Sequence, residues 1–125
     1  MPIQSYRALD AWKLAMELAV SVYQLTRSFP REETFGLSSQ LRRAAASIPS
    51  NVSEGHQLGT KSYAYHVSVA LGSLAETETQ LELANRLRYV PAAELDVISS
   101  LATDLRRTLH GLRRSLLIRQ SHPDP

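Results

Sequence analysis

Four stretches of the chain carry apolar residues at three- and four-residue steps, the spacing of one face of a helix. The first covers residues 8–26 and has two such stripes. Leu9, Trp12, Met16, Ala19 and Tyr23 form one, and Ala11, Leu14, Leu18, Val22 and Leu25 form the other. A surface helix of a bundle buries one stripe. Leu14, Leu18, Val22 and Leu25 are therefore read as an oligomer interface, the alternative being a wide core face with a few exposed aliphatics. The second helix covers residues 34–54, with Leu37, Leu41, Ala44, Ile48 and Val52 on one face. The third covers residues 61–87, where Val67, Ala70, Leu71, Leu74, Leu81, Ala84 and Leu87 face a core. The fourth covers residues 91–117, with Leu95, Ile98, Ala102, Leu105, Leu109, Leu112 and Leu116 as a seam of coiled-coil type.

The boundaries follow from turn chemistry. Residues 1–7 read as an extended lead-in. Ser28-Phe29-Pro30 ends the first helix, because the residue before a proline leaves the helical region. Pro30 with Glu32 and Glu33 reads as the start of the next, with acids on the positive end of its dipole. Residues 55–59 read as a turn, Thr60 as an N-cap, Tyr89-Val90-Pro91 as the last connection, and residues 121–125 as a frayed tail. Pro49 lies within the second helix, removes the hydrogen bond to the Ala45 carbonyl and should kink it. The expected fold is all-α: a single domain over residues 1–120, an antiparallel up-and-down four-helix bundle with its second helix kinked at Pro49.

Beside the apolar faces run polar ones. Arg43, Ser47, Ser50, Asn51 and Glu54 line the second helix, and Ser73, Glu76 and Gln80 the third. Their meeting is expected to form a structural polar motif of Arg43, Ser47, Asn51, Glu54, Ser73 and Glu76. An Arg–Glu contact in it would set register more than it stabilises.

The same residues carry a family resemblance. The run RRAAASIPSNVSEG places Arg43, Ala44, Ala45, Ser47, Ile48, Asn51, Glu54 and Gly55 in an Arg-Ala-Ala-x-Ser-Ile core followed by Asn and Glu-Gly. The run YAYHVSVALGSLAETETQLELANRL then places Ala70, Gly72, Ser73, Leu74 and Glu76 in an Ala-x-Gly-Ser-Leu-x-Glu helix. Together they resemble the four-helix-bundle proteins encoded by intervening sequences of bacterial 23S ribosomal RNA genes. With Leu9, Trp12 and Phe29-Pro30 the resemblance extends over about residues 6–90. It implies up-down bundles assembled into a ring-like homopentamer. It also implies kinship with the accessory variability determinants of diversity-generating retroelements, which are basic pentamers that bind nucleic acid and a reverse transcriptase. The motifs match the ribosomal branch more closely. The partners implied are further copies of the chain, RNA or DNA, and a protein such as a reverse transcriptase.

Composition changes this picture little. With no cysteine the chain forms no disulfide or thiolate metal site, which fits a reducing cytoplasm. The N-terminal MPIQSYRALD lacks the basic and apolar regions of a signal peptide, and no apolar run approaches the ~20 residues that span a bilayer. A net charge of +2 and a pI near 9.2 make the chain mildly basic.

The distribution of charge says more. Residues 105–119 hold five arginines and no acid. Arg106, Arg107, His110, Arg113 and Arg114 share about a third of the helix circumference at ~100° per residue. Such a face has two readings. It would bind phosphates, which suit arginine forks, or it would complement the helix dipole and pair with Glu76, Glu78 and Glu82. Arg42, Arg86 and Arg88 would enlarge the footprint if they shared its surface.

Signals for catalysis are missing. No acid has a His three residues later as in di-metal bundles, His56, His66, His110 and His122 are scattered, and no serine sits in a nucleophile elbow. The run Gly55 to Ser62 mimics a phosphate-binding loop, but only three residues separate Gly55 from Gly59, Thr60 precedes Lys61, and a helix stands where a strand is needed. Aromatics do not interleave with the arginines along the chain, which argues against base stacking. No enzyme activity, cofactor or metal is expected. The function expected is nucleic-acid binding by an oligomeric bundle through Arg42, Arg106, Arg107, Arg113 and Arg114. The alternative is a protein-interaction scaffold in which those arginines are structural.

Overall fold

The computed structural model describes the backbone of residues 3–121 and the side chains of residues 8–121. Four helices fill it: α1 (Ile3–Thr26), α2 (Leu37–Leu58), α3 (Thr60–Arg86) and α4 (Ala92–Ser121), with a short 3-10 turn at Arg31–Glu33 before α2. Among the described residues each helix packs on two neighbours, α1 on α2 and α4, and α3 on α2 and α4, leaving α1/α3 and α2/α4 as the diagonals. Numbers rise along one helix as they fall along the next. Gln40, Ser47 and Asn51 of α2 meet Gln80, Ser73 and His66 of α3, and Arg106 and Arg113 of α4 meet Glu78 and Ser68 of α3.

The α2 and α4 faces read from the sequence are the ones buried. Leu37, Leu41, Ala44, Ile48 and Val52 are buried, as are Ile98, Ala102, Leu105, Leu109, Leu112 and Leu116, with Leu95 partly so. Each fully buried leucine contributes about 1.5–3 kcal/mol relative to exposure. In α3, Val67, Ala70, Leu74, Leu81 and Ala84 are buried and Leu71 packs against them, whereas Leu87 is exposed.

In α1 the two stripes exchange the roles expected of them. Leu18, Val22 and Leu25 are buried within the subunit and Leu14 packs against its core, so the residues assigned to an oligomer interface belong inside. The stripe left outside is Leu9, Trp12, Met16 and Tyr23, joined by Val20. The reason is size. Ala8, Ala11, Ala15 and Ala19 stand on the buried face, and small side chains let α1 approach its neighbours closely, whereas Trp12 and Met16 would hold it off.

Several boundaries also move. α1 begins at Ile3, where an extended lead-in was expected. α2 starts at Leu37, not at residue 34, because Glu33 Oε1 accepts from the Leu37 N–H at 3.2 Å and closes the preceding 3-10 turn onto the helix. Pro49 is accommodated inside α2, buried between Ile48 and Val52, so tertiary packing carries the helix past a residue that local propensity would use to end it. The helix then continues through Gly55 to Leu58, where a turn was expected. A Cβ on Gly55 would lie 2.8 Å from Tyr63 Cδ1 and 2.8 Å from His66 Cβ, so α2 and α3 converge at this glycine.

The α2–α3 connection is Gly59 alone, at φ 99° and ψ 167°, a conformation open in practice to glycine. Gly59 takes the cap position expected of Thr60, which is the first helical residue instead. α4 opens at Ala92, the Leu95 N–H bonding back to the Pro91 carbonyl at 3.0 Å, and persists to Ser121. The rest of the expected tail, residues 122–125, lies outside the described residues, as does His122.

α3 ends in a Schellman motif whose left-handed position is held by Arg88, at φ 64°. The Arg88 N–H donates to the Asn85 carbonyl and the Tyr89 N–H to the Ala84 carbonyl, both at 2.9 Å. A residue with a Cβ pays roughly 1–2 kcal/mol for that conformation. Arg88→Gly is therefore expected to raise stability by about 0.5–1 kcal/mol, measured as an increased urea midpoint at unchanged slope.

Candidate functional site

The polar stripes of α2 and α3 meet as expected, but as a hydrogen-bonded ladder and not as an ion pair. Ser47 Oγ and Ser73 Oγ lie 2.9 Å apart. Asn51 Nδ2 donates to the Ser47 carbonyl at 2.8 Å, and Asn51 Oδ1 lies 2.9 Å from His66 Nδ1. With Oδ1 as acceptor, His66 carries a proton on Nδ1. Gln80 Nε2 bonds Glu76 Oε1 at 3.2 Å, while Arg43 turns outward to Ser39 Oγ at 3.5 Å. The expected Arg43–Glu contact is thus not made, and Glu54 stands exposed off the ladder. Among the described residues, the groups with displaced pKa values belong to the scaffold. Burial pushes the Tyr63 hydroxyl up to about 12, and a 3.0 Å hydrogen bond to Glu33 raises that of Tyr89.

The α4 arginines do not form one free face. Arg106 is hydrogen-bonded to Glu78 of α3 in an ion pair, and Arg113 Nε donates to Ser68 Oγ at 2.8 Å. Arg107, His110 and Arg114 remain exposed on α4. Arg42 cannot join them within a subunit, because α2 and α4 are diagonal in the bundle. Arg86 pairs with Glu82 one turn back along α3.

What the fold does assemble is a groove of about 930 Å³ between the C-terminal turn of α1, the connection that follows it, and the part of α2 up to Ser50. Four arginines line it: Arg27 and Arg31 from the connection, and Arg42 and Arg43 from α2. No Asp, Glu or His does. Ser39, Arg43, Ala46 and Ser50 recur at helical spacing along its α2 wall, and their short members keep it concave.

Arg42 is built into the scaffold. Its Nε donates to Thr26 Oγ1 at 2.7 Å, its Nη2 to the Tyr23 carbonyl at 3.2 Å, and its guanidinium lies 4.7 Å from the centre of the Tyr23 ring. It thereby closes the end of α1 and holds a fixed positive charge in the groove. Arg27, Arg31 and Arg43 are exposed, and no ion pair among the described residues involves them. Four like charges with no carboxylate among them repel one another, and an anion would relieve that repulsion.

Sequence reasoning found Arg42 and missed Arg27 and Arg31, which flank the Ser28-Phe29-Pro30 break. The helix boundary at Pro30 was legible. That it folds the two arginines toward the Arg42-Arg43 pair was not. Aromatics interleave with arginines here in space, though not along the chain, since Tyr23 and Phe35 line the same groove.

Comparison with known proteins agrees with this architecture. A crystal structure of a protein of unknown function from the S23 ribosomal protein family of Bacteroides thetaiotaomicron superposes with a TM-score of 0.78. It is 23% identical, and the match covers 86% of this chain and 98% of that one. At that identity the likeness speaks for the fold. No curated protein matches the chain significantly. The pattern of the 23S rRNA-intervening sequence protein family, however, matches residues 7–111, from α1 well into α4. The chain belongs to the 23S rRNA-intervening sequence protein family.

Proposed function

We propose that this protein binds nucleic-acid phosphates through the α1/α2 groove, without catalysing a reaction, as a subunit of a homo-oligomer. The observation that carries this reading is a concave surface lined by four arginines and no carboxylate. Arginine forks match phosphate oxygens, and the Ser39 hydroxyl on the α2 wall, which accepts from Arg43, adds a neutral donor. With no His, Asp or Glu in its lining, the groove offers no side chain suited to act as a general base at neutral pH. The family is described by a ribosomal RNA, which makes RNA the ligand to test. The test is fluorescence anisotropy with labelled RNA. Gln at Arg27, Arg31 and Arg43 should weaken binding strongly, while Arg107→Gln with Arg114→Gln should leave it nearly unchanged. The reverse ranking would move the interface to α4.

Self-association rests on a separate surface. Leu9, Trp12, Met16 and Val20 of α1 are 38–51% exposed in a row, beside Val97 of α4 at 68%. A contiguous apolar strip of this kind is what a subunit interface buries. Val20→Glu with Val97→Glu is expected to lower the solution mass to that of a monomer by light scattering, with the helical circular-dichroism signal retained. An unchanged mass would assign the strip to something other than self-association.

A further inference from the structure

The most exposed large apolar side chain among the described residues is Phe35, at 96%, and it stands on the rim of the arginine groove. It does not hang from a loose loop. The Thr34 N–H and Oγ1 both donate to the Arg31 carbonyl, at 3.1 and 2.7 Å, and the Gly36 N–H donates to the Glu33 carbonyl at 3.0 Å. Glu33 is itself anchored to Tyr89 at 3.0 Å. The fold therefore spends three backbone and side-chain hydrogen bonds on fixing a segment whose ring touches almost nothing. Of the other aromatics of the groove, Tyr23 has one face covered by the Arg42 guanidinium and Phe29 is buried against Tyr89, so Phe35 is the ring with both faces open.

We propose that the groove takes unpaired nucleotides, with Phe35 stacking on a base while the arginines hold the flanking phosphates. The inference rests on the phosphate-binding reading above and narrows it from nucleic acid in general to single strands. Two observations favour this occupant. An exposed ring beside phosphate-binding groups is the arrangement by which proteins hold single strands, since every base has a stackable face. A duplex offers Phe35 nothing equivalent, because its base faces are already covered by their neighbours and it is recognised by shape and backbone. Charge complementarity suits a strand laid across Arg27, Arg31 and Arg43, which line the same groove as the ring.

The test compares an unstructured oligouridine of about a dozen nucleotides with a duplex of matching phosphate number, by anisotropy at low salt, for the full chain and for Phe35→Ala and Phe35→Trp. The wild type should prefer the oligouridine. Phe35→Ala should weaken oligouridine binding roughly 5- to 100-fold with duplex binding and the salt dependence unchanged, because no phosphate contact is lost. Phe35→Trp should restore the preference. Oligouridine affinity unmoved by Phe35→Ala, or an equal loss for both ligands, would overturn the stacking role while the arginine groove stands. A change in solution mass in place of affinity would assign the ring to a contact between subunits, which also overturns it. Failure of the wild type to bind either RNA would remove the phosphate-binding reading itself. Circular dichroism of Phe35→Ala should match the wild type, since the ring is outside the core.

Discussion

Gly55→Ala should destabilise the protein by about 1–3 kcal/mol, and Gly55→Val by about 3 kcal/mol or more. Helix propensity alone predicts the opposite sign, a gain of roughly 1 kcal/mol for alanine over glycine inside a helix. Geometry decides between them. The added Cβ would meet His66 Cβ and Tyr63 Cδ1 at 2.8 Å, and Tyr63 Cα at 3.3 Å. Two of those atoms are backbone or directly attached to it, so no rotamer change relieves the overlap, and α2 and α3 must separate. Separation also stretches the ladder that begins one turn away, where Asn51 bonds His66 and Ser47 meets Ser73. Valine adds two methyl groups at the same point. Urea unfolding monitored at 222 nm measures both variants; a stabilised Gly55→Ala would show that the helices are not in close contact there.

Removing three groove charges should act on binding and leave the fold alone. Gln at Arg27, Arg31 and Arg43 is expected to lower RNA affinity by about two orders of magnitude at low salt. The melting curve should stay within a fraction of a kcal/mol of the wild type, as for other exposed substitutions. All three side chains are exposed, and Arg42 remains to close the end of α1 on Tyr23 and Thr26. Should the variant unfold, the arginines are structural, and the scaffold reading gains.

The fold was legible where large residues carried the period. The leucine seam of α4 and the Leu37–Val52 face of α2 could be read from spacing alone, because Leu and Ile at helical steps have few other uses. α1 misled because its buried stripe is rich in alanine while its exposed one carries Trp12, Met16 and Tyr23. Bulk marks burial only until close helix packing selects for small side chains. The candidate site was less legible, for a different reason. Arg27 and Arg31 approach Arg42 and Arg43 only after the chain turns at Phe29-Pro30, and nothing in local periodicity encodes that turn's direction. The α4 arginines formed the more conspicuous run, yet Arg106 and Arg113 are taken up by Glu78 and Ser68 across the helix pair, as the reading of structural pairing allowed.

The most direct test of the central claim, that the groove is a phosphate site, is the salt dependence of oligouridine binding by the unmodified protein. If Arg27, Arg31, Arg42 and Arg43 each neutralise one phosphate, the logarithm of affinity should fall against the logarithm of salt with a slope near −3, at about −0.7 per contact on a single strand. A fourfold rise in salt would then weaken binding roughly 50-fold. A flat dependence, or no binding at low salt, would contradict the account and leave a helical scaffold whose arginines serve its own structure.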